Sequence, residues 1–376
     1  MPLEKFAVEN FHKINKFSKT ISVDSDKSIS IRSFLISSIS LDISHINNAL
    51  ESEDVIATIR CLRKLNVKIV KKNSRKYLVY GKGLGSLNCK KKTVLNCENS
   101  GTLSRLLAGI LSTTPNIDVV IKGDHSLNKR NMEKLIKLMN SFGAEFSPKK
   151  KVNFPLRLIS SEIPLGINYK AGVSAQLKSA AILAGINSYG QTFIEEKIKS
   201  RDHTENMLKA NKNSITVKKG NTNIIRINGK NQLQKINISI PGDPSSAAFF
   251  CALTILNTNC KLKINNVQLN KTRIGFYEIL KKSGAKIKFT NIKLKNGERI
   301  GDISVKSSKL KPLRASKVFY PKTADEYPIL FVIASLIRGA SVFEGVGDLA
   351  NKESNRILEM KKILSKIGAK FLYSNG

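Results

Sequence analysis

Residues 279–289, ILKKSGAKIKF, read as the end of an amphipathic helix, a Gly-Ala break and a short strand. Gly284 supplies the helix C-cap, and the alternating apolar residues after it make the strand. The same pattern recurs as LRKLNVKIV (62–70), LMNSFGAEF (138–146), MLKANKNSITV (207–217) and ILSKIGAKFLY (363–373). With Asn66, Gly143, Asn211, Gly284 and Gly368 as markers, the steps are 77, 68, 73 and 84 residues. A period that long is a whole βα unit repeated.

A second pattern interleaves with the first, in which a strand ends in a small polar turn and leads into a helix rich in Ser or Ala. Its instances are ISVDSDKSISIRSFLISS (21–38), LNCENSGTLSRLLAGIL (95–111), INYKAGVSAQLKSAAILAG (167–185), ISIPGDPSSAAFFCALTIL (238–256) and PKTADEYPILFVIASLI (321–337). Small residues suit helices packed closely in a buried bundle; ordinary packing accounts for the alanines but not for the polar turns. ISVDSDKSIS and ISIPGDPSSA read as one junction used twice, entering and leaving a body of three units at about 21–240, with two units in 241–376. If the second body also has three units, the chain stops one unit early, after a fifth strand at Leu372, and is expected to be C-terminally incomplete.

At 376 residues and 41% hydrophobic content, two domains with sizeable cores are expected. The formal charge of +36, from 64 basic and 28 acidic residues, suggests nucleic acid or anionic substrates. Trp is absent and aromatics are 6%, so stacking platforms are lacking and no specific nucleic-acid partner is expected. The basic runs KIVKKNSRK (68–76), KKK (90–92) and PKKK (148–151) read as solvated faces. The five cysteines (61, 89, 97, 251, 260) form no CxxC pair and fit reduced thiols in a cytoplasmic protein. The start lacks the apolar core of a signal peptide, and YPILFVIASLI (327–337) is too short to span a bilayer, so no membrane association is expected. The four histidines (12, 45, 125, 203) have no metal-ligand spacing, and neither a metal nor a cofactor is expected. GKGLG (81–85) lacks the rest of a phosphate loop and reads as a turn.

In DSDKSISIRS (24–33) a helix is expected from near Lys27, capped by Asp24 or Asp26. A helix N-terminus favours anions, yet Lys27 and Arg32 bring cations there, with Ser28 and Arg32 on one face. Arg130 in GDHSLNKRNMEKLIKLM (123–139) and Arg201 in KSRDHTENML (199–208) likewise read as lying at helix starts. Lys352 and Arg356 in NKESNRILEMKKIL (351–364) are expected on one face of a first turn. Basic helix starts at corresponding points of repeated units imply N-termini converging on shared anions.

In order and spacing, DKSISIRSF, ENSGTLSRLLAGIL, GDHSLNKRNM, GVSAQLKSAAILAG, SRDHTENML, PGDPSSAAFF, DEYPIL and KESNRI resemble the EPSP synthase (3-phosphoshikimate 1-carboxyvinyltransferase) family from about Asp24 onward. The resemblance implies an α/β fold of two inside-out α/β barrels, each of three βαβαββ units with helices inside and sheets outside. Five units would be present here, in a domain at 21–240 and a second made of 1–20 plus 241–376. The closing unit would be absent, with the family's DHR block and a further basic segment that help bind phosphoenolpyruvate. A monomer is implied. The family moves the enolpyruvyl group of phosphoenolpyruvate to the 5-hydroxyl of shikimate 3-phosphate through a tetrahedral adduct that expels phosphate.

By resemblance, Lys27 would touch both substrates. Ser28, Arg32, Ser174, Ala175 (by its backbone), Gln176, Arg201, Asp325 and Lys352 would hold shikimate 3-phosphate, Arg32 gripping its carboxylate with two prongs. Asn99, Gly101, Arg130, Gln176 and Arg356 would form the phosphoenolpyruvate site. Asp325 resembles the base that takes the hydroxyl proton and Glu353 the acid that protonates the methylene carbon, with Lys27 beside the chemistry. Neighbouring cations would lower both carboxyl pKa values and anionic substrates would partly cancel that. Four positions depart from the family wording: Ser25 for Gly, Ile31 for His, Asn131 for Pro and Asn355 for Asp. Gly101, where tolerant relatives carry Ala, implies glyphosate as an inhibitor. Two rivals stand beside this reading. The sister transferase acting on UDP-N-acetylglucosamine has a loop cysteine with no counterpart in GDHSLNKRN; an inactive homologue acting as a basic binding protein would explain the charge.

Overall fold

The computed structural model describes residues 16–352 and 354–374. Strand β1 (Ser18–Ile21) leads into helix α1 (Lys27–Ser38), followed by β2 (Ile43–Asn47), α2 (Glu53–Lys64), β3 (Ile69–Asn73) and β4 (Lys76–Tyr80). The next unit is β5 (Thr93–Asn96), α3 (Gly101–Ser112), β6 (Asp118–Lys122), α4 (His125–Lys129), α5 (Glu133–Ser141), β7 (Glu145–Ser147) and β8 (Leu156–Ile159). The third is β9 (Asn168–Ala171), α6 (Ala175–Ile186), β10 (Gln191–Glu196), α7 (His203–Leu208), β11 (Ile215–Lys218) and β12 (Asn223–Asn228). Then come β13 (Asn237–Ser239), α8 (Pro244–Leu256), β14 (Lys261–Gln268), α9 (Gly275–Lys282), β15 (Lys286–Lys295) and β16 (Glu298–Lys306). Last are β17 (Arg314–Ala315), α10 (Tyr320–Thr323), α11 (Tyr327–Ser335), β18 (Val342–Phe343) and α12 (Arg356–Lys366).

The strands form separate open sheets, with no closed barrel among the described residues, in a mixed α/β fold. The orders β5-β6-β8-β7 and β9-β10-β12-β11 are complete βαβαββ units, the first pair parallel and the rest antiparallel. The other two four-stranded sheets exchange their first strands. β1 runs parallel to β14, whereas the helix it leads into, α1, packs beside β2 and β4; β13 runs parallel to β2 and leads into α8, which packs against β14. The chain therefore crosses at 22–26 and again at 240–243, and the crossings pair with each other: Asp26 N donates to Pro241 O at 2.8 Å and Asp243 N to Asp24 O at 2.8 Å.

Two apolar clusters follow this exchange, one built from residues between Ile29 and Ile240 and the other between Ala247 and Leu364. In the first, Ile29 through Ser38 of α1 and Leu177 through Ile186 of α6 are all buried, as helices surrounded by protein must be. Their small residues permit close approach: a Cβ on Gly109 of α3 would lie 2.6 Å from the carbonyl oxygen of Ala180 in α6. Each buried Ile, Leu or Phe contributes about 1.5–3 kcal/mol relative to exposure. Helix α8 is less enclosed and keeps Phe249, Phe250, Leu253 and Leu256 exposed.

The helix-break-strand markers hold their conformations for the reason expected. Gly143, Gly284, Gly368 and Asn66 have φ of 89°, 100°, 85° and 60°, the left-handed region that ends a helix. Asn211 is the exception; its side chain instead accepts from Gln234 N at 2.8 Å. The fifth strand expected at Leu372 does not form, since residues 369–374 have no regular structure. After the other four markers the strand pairs with the one that follows it, and 369–374 have no such partner among the described residues. Ala369 and Phe371 pack on the second cluster instead. GKGLG forms a turn with Gly81 pressed on Ser40, where a Cβ would lie 2.1 Å from the carbonyl oxygen. The five cysteines are free thiols, and among the described residues no helix is long and apolar enough to cross a membrane and no side-chain cluster suits a metal.

Candidate active site

Four of the five polar turns before the small-residue helices are side-chain N-caps, the exception being the turn before α11. Asp26 accepts from Ile29 N at 2.8 Å, Ser100 from Leu103 N at 3.2 Å, Ser174 from Leu177 N at 3.4 Å and Asp243 from Ser245 N at 2.8 Å. Side chains then tie the N-terminal halves of α1, α3 and α6 together. Arg105 Nη1 donates to Gln176 Oε1 at 2.9 Å, Gln176 Nε2 to Thr102 Oγ1 at 2.9 Å, and Arg32 Nη2 to Ser179 Oγ at 3.0 Å. Three positive helix ends thus meet beside two guanidinium groups, a setting that favours anions.

Arg32 is buried, and its remaining bonds go to Thr204 Oγ1 from Nε (2.9 Å) and to the Ser28 carbonyl from Nη1 (3.2 Å). Burial pulls its pKa down to about 10, against the pull of Glu205 and Asp26. These bonds use three of the five guanidinium N–H donors and leave one on each terminal nitrogen, enough for the two oxygens of a carboxylate. Ser28 is half-buried and Ala175 is the first residue of α6, so both stand at helix starts as expected. Lys27 also begins a helix, but its ammonium pairs with Asp54 of α2 at 3.0 Å.

A second group lies at the start of α3. Arg130 Nη2 donates to the side-chain oxygen of Asn99, and Asn99 Nδ2 donates to Asp124 Oδ2 at 2.9 Å. A Cβ on Gly101 would come 2.6 Å from Arg105 Nη1 and 2.8 Å from Arg130 Nη1, so both guanidinium groups close on this glycine. Arg130 does not start a helix. It caps the C-terminus of the one-turn α4, and α5 begins three residues later at Glu133, because the segment breaks at Arg130–Met132.

The second body brings Asp325 and Arg356 against Arg201 of the first. Arg201 Nη2 meets Asp325 Oδ2 at 2.6 Å, and Arg356 Nη1 lies 3.4 Å from Asp325 Oδ1 and 3.1 Å from the Ala324 carbonyl. Arg201, followed by Arg273 and Arg356, holds the Asp325 carboxyl far below the usual carboxylate range. Its neighbour Glu326 moves the other way, pushed up to about 7 by burial and then by Asp325. Ser245 Oγ donates to Glu326, and Arg273 spans Ser245 (2.9 Å), Asp243 (3.0 Å) and Asp26 (3.3 Å).

Lys352 and Arg356 do not share a first turn. Helix α12 begins at Arg356 behind the cap Asn355, which accepts from Leu358 N at 3.1 Å, while Lys352 ends a separate 3-10 turn and pairs with Asp348 at 2.8 Å. Glu353 lies outside the described residues. The sequence reading missed Arg105, Ser179, Thr204, Arg273 and Glu326. Arg105 had a signal, lying four residues after Gly101 and hence on its helix face; the others are placed by tertiary contacts.

Several guanidinium groups, positive helix ends and a carboxylate brought together in this way can bind a multiply charged anion and move a proton from it. The family described as EPSP synthase (3-phosphoshikimate 1-carboxyvinyltransferase) matches residues 11–375. A 3-phosphoshikimate 1-carboxyvinyltransferase of Syntrophomonas wolfei is 38% identical over 350 residues, covering 93% of this chain and 80% of the relative. One of Thermodesulfovibrio yellowstonii is 39% identical over 366 residues, covering 96% and 84%. The EPSP synthase of Acinetobacter baumannii superposes with a TM-score of 0.81 at 36% identity, over 93% of this chain and 78% of that one. The enolpyruvyl transferase NikO of Streptomyces tendae, at 13% identity and a TM-score of 0.67 over 88% and 76%, shares the fold.

Proposed function

The chain belongs to the EPSP synthase family, and from that premise we propose how its own residues carry the reaction. The protein is an enzyme that transfers the enolpyruvyl group of phosphoenolpyruvate to the 5-hydroxyl of shikimate 3-phosphate, giving 5-enolpyruvylshikimate 3-phosphate and phosphate. Both substrates carry a phosphate and a carboxylate, which is the chemistry that basic helix starts serve.

Shikimate 3-phosphate binds at the starts of α1 and α6, with Lys27, Ser28 and Arg32 on one side and Ser174, Ala175, Gln176 and Arg201 on the other. Arg32 takes the carboxylate through its two remaining N–H donors. Phosphoenolpyruvate binds between Asn99, Gly101, Arg130, Gln176 and Arg356, with Arg105 beside them. Asp325 accepts the 5-hydroxyl proton as that oxygen attacks C2 of phosphoenolpyruvate; a proton added to the methylene carbon, the role assigned to Glu353, gives the tetrahedral adduct. The adduct then loses a proton and expels phosphate. Shikimate 3-phosphate draws the positive field of Arg201 onto itself and so raises the proton affinity of Asp325 when the base is needed. Lys352 reaches substrate by leaving Asp348, and Lys27 by leaving Asp54.

The observation that carries this reading is the Arg201–Asp325–Arg356 group, which joins two arginines and a carboxylate from three distant segments across the two bodies. We take those bodies as domains at 21–240 and 1–20 plus 241–376, residues 1–15 lying outside the described ones, because each has its own apolar cluster. We also place the enzyme in the cytoplasm as a monomer, with glyphosate competing for the guanidinium groups of Arg105 and Arg130 that close on Gly101. Inorganic phosphate release tests the function. It should require both substrates together and be competed by glyphosate against phosphoenolpyruvate; no release above background with both present would contradict it.

A further inference from the structure

Segment 201–206, RDHTEN, is gripped from both sides. Toward the second body, Arg201 pairs with Asp325, Asp202 Oδ1 accepts from Asn270 Nδ2 at 2.6 Å, and His203 Nδ1 meets Glu298 Oε1 at 2.8 Å. Toward the first body, Thr204 Oγ1 accepts from Arg32 Nε and donates to Ser179 Oγ at 2.8 Å, and Glu205 pairs with Lys178 at 2.7 Å. Asn206 bridges back, with Nδ2 at 3.1 Å from Asp202 Oδ1 and 3.4 Å from Glu298 Oε1.

The centre of this arrangement is the His203–Glu298 pair, whose side chains are 0% and 3% exposed. Glu298 Oε2 accepts from Gln268 Nε2 at 3.0 Å and Asn270 Nδ2 at 3.1 Å. Burial alone would raise the Glu298 pKa, but His203 and those two amides bring it down to about 2. The β15–β16 hairpin delivers Glu298 closely, since a Cβ on Gly297 would lie 2.1 Å from the Asn206 carbonyl oxygen. A buried, fully ligated carboxylate reaching into the other body is costly to assemble unless it fixes something. What it fixes here is the segment carrying Arg201 and the hydroxyl that holds Arg32.

We propose that His203 and Glu298 are positioning residues through which the second body sets Arg32 and Arg201 for shikimate 3-phosphate. This rests on the reading that those two arginines take that substrate. Neither member of the pair touches substrate; the pair acts through Thr204 and Arg201, so its loss raises the KM for shikimate 3-phosphate and leaves that for phosphoenolpyruvate alone.

Calorimetric titration of shikimate 3-phosphate into the full chain, the Glu298→Gln and His203→Gln variants and their double variant tests this, with thermal melting to show that each is folded. Each single variant should weaken binding by about tenfold, as for a lost hydrogen bond to a charged group. The double variant should be no weaker than either, and the KM for phosphoenolpyruvate should stay within about twofold. Unchanged affinity in folded single variants, or losses that multiply in the double, would overturn the coupling. If either single variant unfolds, Asn270→Ser takes its place, with a loss of about threefold expected and none overturning the proposal. A folded wild-type chain that fails to bind shikimate 3-phosphate would instead sink the site assignment on which the inference rests.

Discussion

Asp325 would act as a base in the least favourable field for one, with two arginines on its oxygens. Asp325→Asn should lower the rate of phosphate release by at least about a hundredfold, the range of a lost general base. Shikimate 3-phosphate binding should be retained or tightened, because Arg201 loses its competitor; calorimetry and phosphate release separate the two effects. At Gly101 the added methyl of Gly101→Ala meets the ends of two flexible guanidinium groups at 2.6 and 2.8 Å, which can move aside. The variant should fold normally, with the KM for phosphoenolpyruvate raised several-fold and glyphosate inhibition weakened further, as steady-state kinetics would read. Glu326 titrates at about 7 in the folded protein against an ordinary value of 4.5. Between those values the folded state holds a proton that the unfolded chain has released. Its contribution is therefore fully present below pH 4.5 and lost as pH rises to about 7. Glu326→Gln should flatten that part of a plot of Tm against pH; an unchanged slope would contradict the shift. At this scale, Ser28, Arg32 and Arg201 could be singled out from local pattern, and Gly101 through the family resemblance. Lys27–Asp54 and the buried Glu326–Ser245 contact could not, because these partners are set by packing between segments remote in sequence, whereas Lys352–Asp348, four residues apart, is a local pair.

Elements were the most legible level. Periodic runs broken by Gly or Asn located the helices and four of the five strands after them, and four of the five polar turns proved to be caps whose side chains bond the third or second residue onward, the turn before α11 making no such bond. Two expectations failed at this scale, each for its own reason. A strand exists only where another pairs with it, so 370–373 has strand-like alternation and no strand; a helix needs an unbroken run, so Arg130 falls in a gap between two short helices. Helix α6 shows what pattern alone hides: Lys178 is fully buried among apolar neighbours, 2.6 Å from Glu196 and 2.7 Å from Glu205. Removing the cation strands two buried carboxylates. Lys178→Met should cost about 3–5 kcal/mol of stability. A Tm within experimental error of the parent would show that the triad is dispensable.

At the scale of the whole molecule, the junction used twice was visible in the sequence as ISVDSDKSIS and ISIPGDPSSA. The exchange of β1 and β13 was not, because a parallel partner more than 190 residues away leaves no local trace. That exchange places Asp26 and Asp243 on one arginine, Arg273, so the two crossings form a single buried joint. From this joint α1 and α8 start into different bodies. The anion site is drawn from both, and it depends on cations that are far apart in the chain meeting at one place. A crystal structure with shikimate 3-phosphate bound tests this most directly. The account predicts the ligand's carboxylate on Arg32, its phosphate and ring against Ser174, Gln176 and Arg201, and its 5-hydroxyl within hydrogen-bond reach of Asp325. Ligand bound elsewhere, with the Arg201–Asp325 pair untouched, would contradict it.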